Sequence, residues 1–208
     1  MSHFTIAKNS KQEIVIEKSR FICTLKKVAT EAEAQNFIKD MKKQYWDATH
    51  NCSAYVVSDL VQRSSDDGEP GGTAGVPMLE VLRKNKLTGV AAVVTRYFGG
   101  VKLGAGGLVR AYTNAVAAAL QAAGRAEQVE LGHYVLSVPV ADAGKVLNLL
   151  YADGGYRLGE VGYGSDFVQI EFLLRRCDAG AVTQSLTDLL KMPVELVFIM
   201  AELIEVPV

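Results

Sequence analysis

The stretch Val90–Tyr112, VAAVVTRYFGGVKLGAGGLVRAY, decides how the chain is read. Val90 to Val94 is an unbroken apolar run without polar alternation, the pattern of a strand covered on both faces. Arg96, Tyr97 and Phe98 stand at the end of that strand. Gly99, Gly100, Gly104, Gly106 and Gly107 then supply a backbone free to take positive φ and to approach another surface closely. From Leu108 the spacing Val109, Tyr112, Val116, Leu120 is helical. A strand end thus feeds a helix N-terminus, where free amides and the helix dipole favour an anion and Lys102 and Arg110 add positive charge. The same glycines also suit a plain joint that lets a helix pack tightly on a sheet, so two readings stand side by side.

Two familiar phosphate loops fail on these glycines. A Walker A loop needs Lys and then Ser or Thr after its last glycine, whereas Gly104 is followed by Ala105 and Gly106. A dinucleotide fingerprint running through Gly104 and Gly106 would place Val109 where a small residue is needed for close helix packing. Neither chemistry is inferred.

With 208 residues, 49% of them hydrophobic and 22% charged, the chain has the composition of a globular protein with one large domain or two small ones. Its net charge of -1 confines any nucleic-acid footprint to a local patch. Cys23, Cys52 and Cys177 are odd in number and form no CxxC pair, which fits a reducing compartment. The N-terminus lacks a signal-peptide core and no apolar run reaches the ~20 residues a membrane span needs. The expected location is the cytoplasm, with no membrane partner.

Around the deciding stretch the chain reads as alternating strands and helices. Glu13 to Glu17 and Phe21 to Lys27 suit a hairpin turning through Lys18, Ser19 and Arg20. Thr30 and Glu33 form a capping-box signature ahead of the apolar face Ala34, Phe37, Ile38 and Met41. Asn51 to Asp59 reads as a strand, Leu60 to Gly72 as a long polar loop and Thr73 to Leu82 as a short helix. Polar residues from Gly124 to Gln128 suggest a boundary, giving domains 1–126 and 127–208. After it come a strand over Tyr134 to Val140, a helix with Val146, Leu149 and Leu150, a weak strand over Tyr156 to Tyr163, and a clear one over Val168 to Leu174. Asp178 can cap a helix with Val182, Leu186, Leu189 and Leu190, and Val194 to Met200 closes the set. The order βαββαβ is that of a ferredoxin-like split sandwich, so the fold class is α+β.

Several residues could carry chemistry. Asp66, Asp67 and Glu69 lie within four positions and could hold a hard cation, although their dipeptides are ordinary turn formers and calcium-loop spacing is absent. Alternatively Asp66 or Asp67 pairs with Arg96 or Arg110 and fixes the loop. His50 and Cys52 share a strand face but lack a third orienting group, so Cys52 is read as structural rather than nucleophilic. His3, His50 and His133 are too dispersed for zinc. Tyr45, Trp46, Tyr97 and Phe98 could stack on bases or belong to the core, and no RRM or KH signature is present.

The segments KSRF at 18–21, ATHNCSAY at 48–55, SDDGEPGGTAG at 65–75 and RYFGGVKLGAGGLVRAY at 96–112 together resemble the IMPACT family, most of all its bacterial YigZ-type members. The resemblance implies an N-terminal domain with the fold of the second domain of ribosomal protein S five and a C-terminal ferredoxin-like domain. Eukaryotic members are translation regulators with an additional N-terminal interaction domain. This chain begins close to its first shared strand, so that domain and its kinase pathway are not carried over. No family catalytic residue maps onto the sequence.

The expectation is therefore a translation-related regulator, more an adaptor than an enzyme, that needs no cofactor or bound metal. It binds RNA or the ribosome through Arg96, Tyr97, Phe98, Lys102, Arg110 and the intervening glycines, beside the loop of Asp66, Asp67 and Glu69. Two alternatives remain: a magnesium-dependent enzyme on a phosphorylated small molecule, and a protein-interaction module using the C-terminal sheet.

Overall fold

The computed structural model describes residues 3–152 and 157–207. Two compact units emerge, one running to Gln128 and including the stretch from Glu205, the other comprising Val129–Ile204. The division expected from composition lay two residues earlier and gave the whole C-terminus to the second unit.

The first unit is built on a sheet of order β2-β3-β6-β4-β5, comprising β2 Ser10–Ile16, β3 Ser19–Lys27, β4 His50–Val56, β5 Gln62–Ser65 and β6 Val90–Tyr97. All its neighbours are antiparallel. Strand β6 lies at the centre and is buried on both faces, which explains its continuous apolar run. On one face Cys23, Leu25, Ala54, Ala92 and Val94 pack with residues of helices α2 Gly75–Lys84 and α3 Gly104–Ala123. On the other, Tyr55, Ala91 and Val93 pack with Ala34 and Phe37 of α1 Glu31–Gln44. Helix α3 turns Leu108, Ala111, Tyr112, Ala115, Val116 and Ala119 inward, an apolar stripe at helical spacing whose alanines let it lie close to the sheet.

Local chemistry explains the joints. The β2–β3 hairpin has a two-residue loop in which Glu17 and Lys18 both take positive φ, 47° and 63°, so the turn lies one residue earlier than expected. Helix α1 starts on its capping box: Thr30 Oγ1 accepts from Glu33 N at 3.2 Å, and the Glu33 carboxylate accepts from Ala29 N at 2.9 Å. Strand β5 lies within the expected long loop; its sequence QRSS carries no apolar alternation because it is the exposed edge beside β4. Strand β1 His3–Ile6, too short to show a period, pairs with the beginning of β7 Arg125–Pro139.

In the second unit the later part of β7 is followed by α4 Val140–Ala152, β8 Arg157–Tyr163, β9 Phe167–Arg175, α5 Ala179–Leu190 and β10 Leu196–Pro207. The order β10-β7-β9-β8 is that of a split βαββαβ sandwich. Leu136, Val138, Ile170 and Phe172 meet Val146, Leu150, Val182 and Leu186 in its core. Gly124–Gln128 is therefore no linker, since Arg125 already belongs to β7. Asp178 occupies the N-cap position of α5 but its side chain bonds no helix amide. Tyr156, expected in the Gly-rich strand, lies outside the described residues. Among the described residues no helix is long and apolar enough to cross a membrane.

Candidate functional site

Strand periodicity divides the aromatic-basic cluster at the end of β6. Arg96 follows Val94 onto the α2/α3 face, and Phe98 stays on that side, its ring centroid 5.6 Å from the Arg96 guanidinium. Tyr97 turns the other way. Its hydroxyl donates to Asp47 Oδ1 at 2.9 Å, while the Arg20 guanidinium lies 5.4 Å from its ring. Tyr97 is thus separated from the residues with which it is contiguous in sequence.

Arg96 is only 5% exposed. Its Nη1 donates to Glu69 Oε1 at 2.7 Å, and the same oxygen accepts from Tyr112 Oη at 2.8 Å. Tyr112 stands edge-on to Phe21, centroids 5.3 Å apart, and the guanidinium also lies over Phe21 at 5.4 Å. The Arg96 partner is therefore Glu69, not Asp66 or Asp67 as the sequence suggested. A buried guanidinium needs a fixed counter-charge, and of the three loop acids only Glu69 is itself buried.

Asp66 serves the loop instead. Its carboxylate accepts from the amides of Gly72 at 2.9 Å, Ala74 at 3.0 Å and Gly75 at 2.7 Å, capping α2 from a distance in sequence. Burial alone would raise its pKa, but these three amide bonds outweigh it and hold the carboxyl below its ordinary value. Asp67 accepts from Asn51 N at 2.7 Å and pairs with Lys42. All three acids that might have held a cation are engaged by the protein's own donors, and among the described residues no group of acids, histidines and cysteines is arranged for a metal ion.

His50 and Cys52 do not act as a pair. His50 Nδ1 lies 2.8 Å from the Asp67 carbonyl oxygen, to which it donates. Cys52 Sγ lies 3.0 Å from the Asp66 carbonyl oxygen and 3.3 Å from Tyr112 Oη. Burial pushes the Cys52 thiol up to about 12, the opposite of what a nucleophile requires. Burial likewise raises the Tyr112 hydroxyl. In the second unit His133 lies within β7 with its Nε2 3.5 Å from Glu202 Oε2, an ion-pair contact only when the ring is protonated; that nitrogen makes no hydrogen bond among the described residues.

The glycines have separate tasks. A Cβ on Gly99 would come within 2.0 Å of the Lys18 carbonyl carbon, so this residue passes directly against the β2–β3 turn, and its amide donates to Ser19 Oγ at 3.1 Å. Gly100 and Gly104 take φ of 85° and 67°. Helix α3 begins at Gly104, four residues before the apolar spacing becomes visible, so Gly106 and Gly107 are helical. No side chain caps this end and its first turn contains no acid. Arg110 is exposed and reaches back over that turn, since a Cβ on Gly106 would meet its Nη1 at 3.8 Å. Lys102 is exposed, and among the described residues neither Lys102 nor Arg110 has a carboxylate partner.

These parts surround an open hollow of about 320 Å³, with His50, Glu69, Arg96, Phe98, Lys102 and Gly104 in its lining. Phe98 is 47% exposed there. Of the residues singled out in the sequence, Arg96, Phe98, Lys102, Gly104 and Glu69 line this hollow, whereas Tyr97, Gly99, Gly100, Gly106, Gly107 and Arg110 are not among its lining; His50 as a lining residue and Tyr112 as the second donor to Glu69 were missed. A signal existed for Tyr112, because a tyrosine on a buried helical stripe requires a hydroxyl partner.

Residues 17–120 match the model of the Impact N-terminal domain. The chain is 49% identical over 190 residues to the IMPACT family member YvyE of Bacillus subtilis (strain 168), covering 90% of this chain and 87% of that protein. To the IMPACT family member YigZ of Escherichia coli (strain K12) it is 42% identical over 125 residues, 58% of this chain and 61% of the relative. A solved structure described as that of a hypothetical protein superposes with a TM-score of 0.59 at 31% identity, covering 96% of this chain and 98% of that one. The four segments that carried the resemblance are those that meet around Arg96 and Glu69, and on these grounds the chain belongs to the IMPACT family.

Proposed function

We propose that this protein is a translation-related regulator that binds single-stranded RNA, free or ribosomal, at the hollow before α3. Family membership fits a translation-related regulator. The observation that carries the RNA reading is the convergence of an uncapped helix N-terminus, a Lys102 without a carboxylate partner among the described residues and a half-exposed Phe98 on one hollow. Backbone amides and a cation meet a phosphate, and an aromatic face meets a base. Arg96 is assigned to the support of this surface rather than to a phosphate, because its charge is neutralised by Glu69. Tyr97 is assigned no stacking role.

Fluorescence anisotropy with a labelled oligonucleotide tests this. Affinity is expected to fall with salt by a slope of about -0.7 per phosphate contact, and Lys102→Ala with Arg110→Ala to flatten that slope by up to about 1.4. Phe98→Ala is expected to cost about 1–3 kcal/mol of binding, and Tyr97→Ala far less. Equal binding by the parent and the Lys102/Arg110 double variant, both folded, overturns the reading. Magnesium-dependent turnover of a phosphorylated metabolite would replace it with an enzymatic one.

A further inference from the structure

We propose that the hollow selects guanine, taking one phosphorylated guanine nucleotide whether free or exposed in a single strand. This rests on the reading of the site as a nucleotide-binding surface, but it follows from a different set of atoms. Glu69 is 8% exposed and spends Oε1 on Arg96 and Tyr112. Its Oε2 makes no hydrogen bond among the described residues; His50 Nε2 lies 3.9 Å away, beyond hydrogen-bond reach and an ion-pair contact only when the ring is protonated. His50 Nδ1 donates to a carbonyl oxygen, so a ring carrying one proton presents Nε2 as an acceptor too. Two acceptors thus stand side by side on residues that line the hollow. Beside them Arg96 donates only to Glu69 among the described residues, and its Nε is buried without a partner. A buried guanidinium nitrogen left in that state is costly until something supplies the missing partner.

The complement of this arrangement is two adjacent donors with an acceptor next to them. Guanine offers N1–H and the N2 amino group in a row, with O6 beside N1–H. Adenine and cytosine offer one amino donor next to a ring-nitrogen acceptor, which would face the carboxylate unfavourably. Uracil is worst, since its single N3–H lies between two carbonyl oxygens. The base lies against Phe98, and its phosphate reaches Lys102 and the free amides of α3.

Calorimetric titration with the four nucleoside 5′-monophosphates, together with anisotropy on oligouridylate carrying or lacking one guanosine, tests the proposal. The guanine monophosphate is expected to bind at least about tenfold tighter than the uracil one, and the single guanosine to raise oligonucleotide affinity by a similar factor. Glu69→Gln keeps an acceptor for Arg96 and Tyr112 but presents an amide donor in place of Oε2, so the guanine preference is expected to disappear. Phe98→Ala, which removes a half-exposed ring packed on the Arg96 guanidinium but leaves both charged partners in place, is a second variant and is expected to weaken the purine monophosphates most. Four monophosphates binding alike, or none binding, overturns guanine selection. Base-blind RNA binding that Lys102→Ala weakens would overturn it while leaving the RNA reading standing. Guanine-selective binding of the monophosphate without any RNA binding would do the reverse.

Discussion

Arg96 shows how far a residue's role depends on the face it occupies. In sequence it is one of several cations beside glycines; in the fold its guanidinium is buried between Phe21 and Phe98 and held by Glu69. Removing one member of such a pair leaves the other charge buried alone, so Arg96→Ala is expected to destabilise the first unit by about 3–5 kcal/mol in urea unfolding. An exposed phosphate contact would change little. Asp66 gives a second prediction, with a definite sign. Its folded pKa lies below the unfolded value of about 3.9, so the stability it contributes is present above that value and is lost as pH falls through the folded pKa. Asp66→Asn is expected to lower stability at neutral pH by about 1–2 kcal/mol and to remove part of the fall below about pH 4, as read from thermal melts across pH 2–7. Both roles were partly legible in sequence. The acids and arginines were visible as a set, whereas their pairing depends on burial, which a run such as SSDDGEPGG does not encode.

At the scale of the element, the legible parts were those with a period. The central strand β6, the hairpin β2–β3, the stripe of α3 and the alternation of β9 each announce themselves through 2- or 3.6-residue spacing. Strand β1, edge strand β5 and the first turn of α3 did not, because short or exposed pieces and glycine-rich turns carry no apolar rhythm. The glycine run illustrates the limit: flexibility was readable at every glycine, but within the run only Gly99 would drive a Cβ into the backbone of another segment, while a Cβ on Gly107 would crowd Leu103 Cβ at 3.0 Å. With a Cβ placed 2.0 Å from Lys18 and 2.4 Å from Ser19 N, Gly99→Ala forces the β6–α3 connection away from the hairpin turn. It is expected to lower the melting temperature and to weaken binding at the hollow together. Gly100→Ala, at an open position with φ of 85°, meets no neighbour and is expected to cost only local strain of roughly 1 kcal/mol. Comparing the two melts separates contact from conformational freedom.

At the scale of the whole molecule, the restart of apolar periodicity after residue 124 signalled a second body, but composition did not show that a single strand crosses the division. Strand β7 begins by pairing with β1 through Arg125–Gln128 and continues by pairing with β9 through Leu131–Pro139, so polar residues at its start are strand rather than linker. The second unit holds a complete βαββαβ set, with Phe172, Ile170 and Leu136 fully buried against Val146, Leu150 and Leu186. A fragment spanning residues 129–204 therefore retains its own core and every helix that covers it, and we expect it to unfold cooperatively in urea with dispersed amide resonances. The complementary fragment ending at Gln128 keeps the sheet, both of its helical layers and the hollow, but loses the stretch from Glu205 that belongs with it. It is expected to fold with reduced stability and to retain the binding of the whole chain. A 129–204 fragment that unfolds without cooperativity, alongside an intact chain melting in one transition, would mean that the two units share their stability rather than each holding its own.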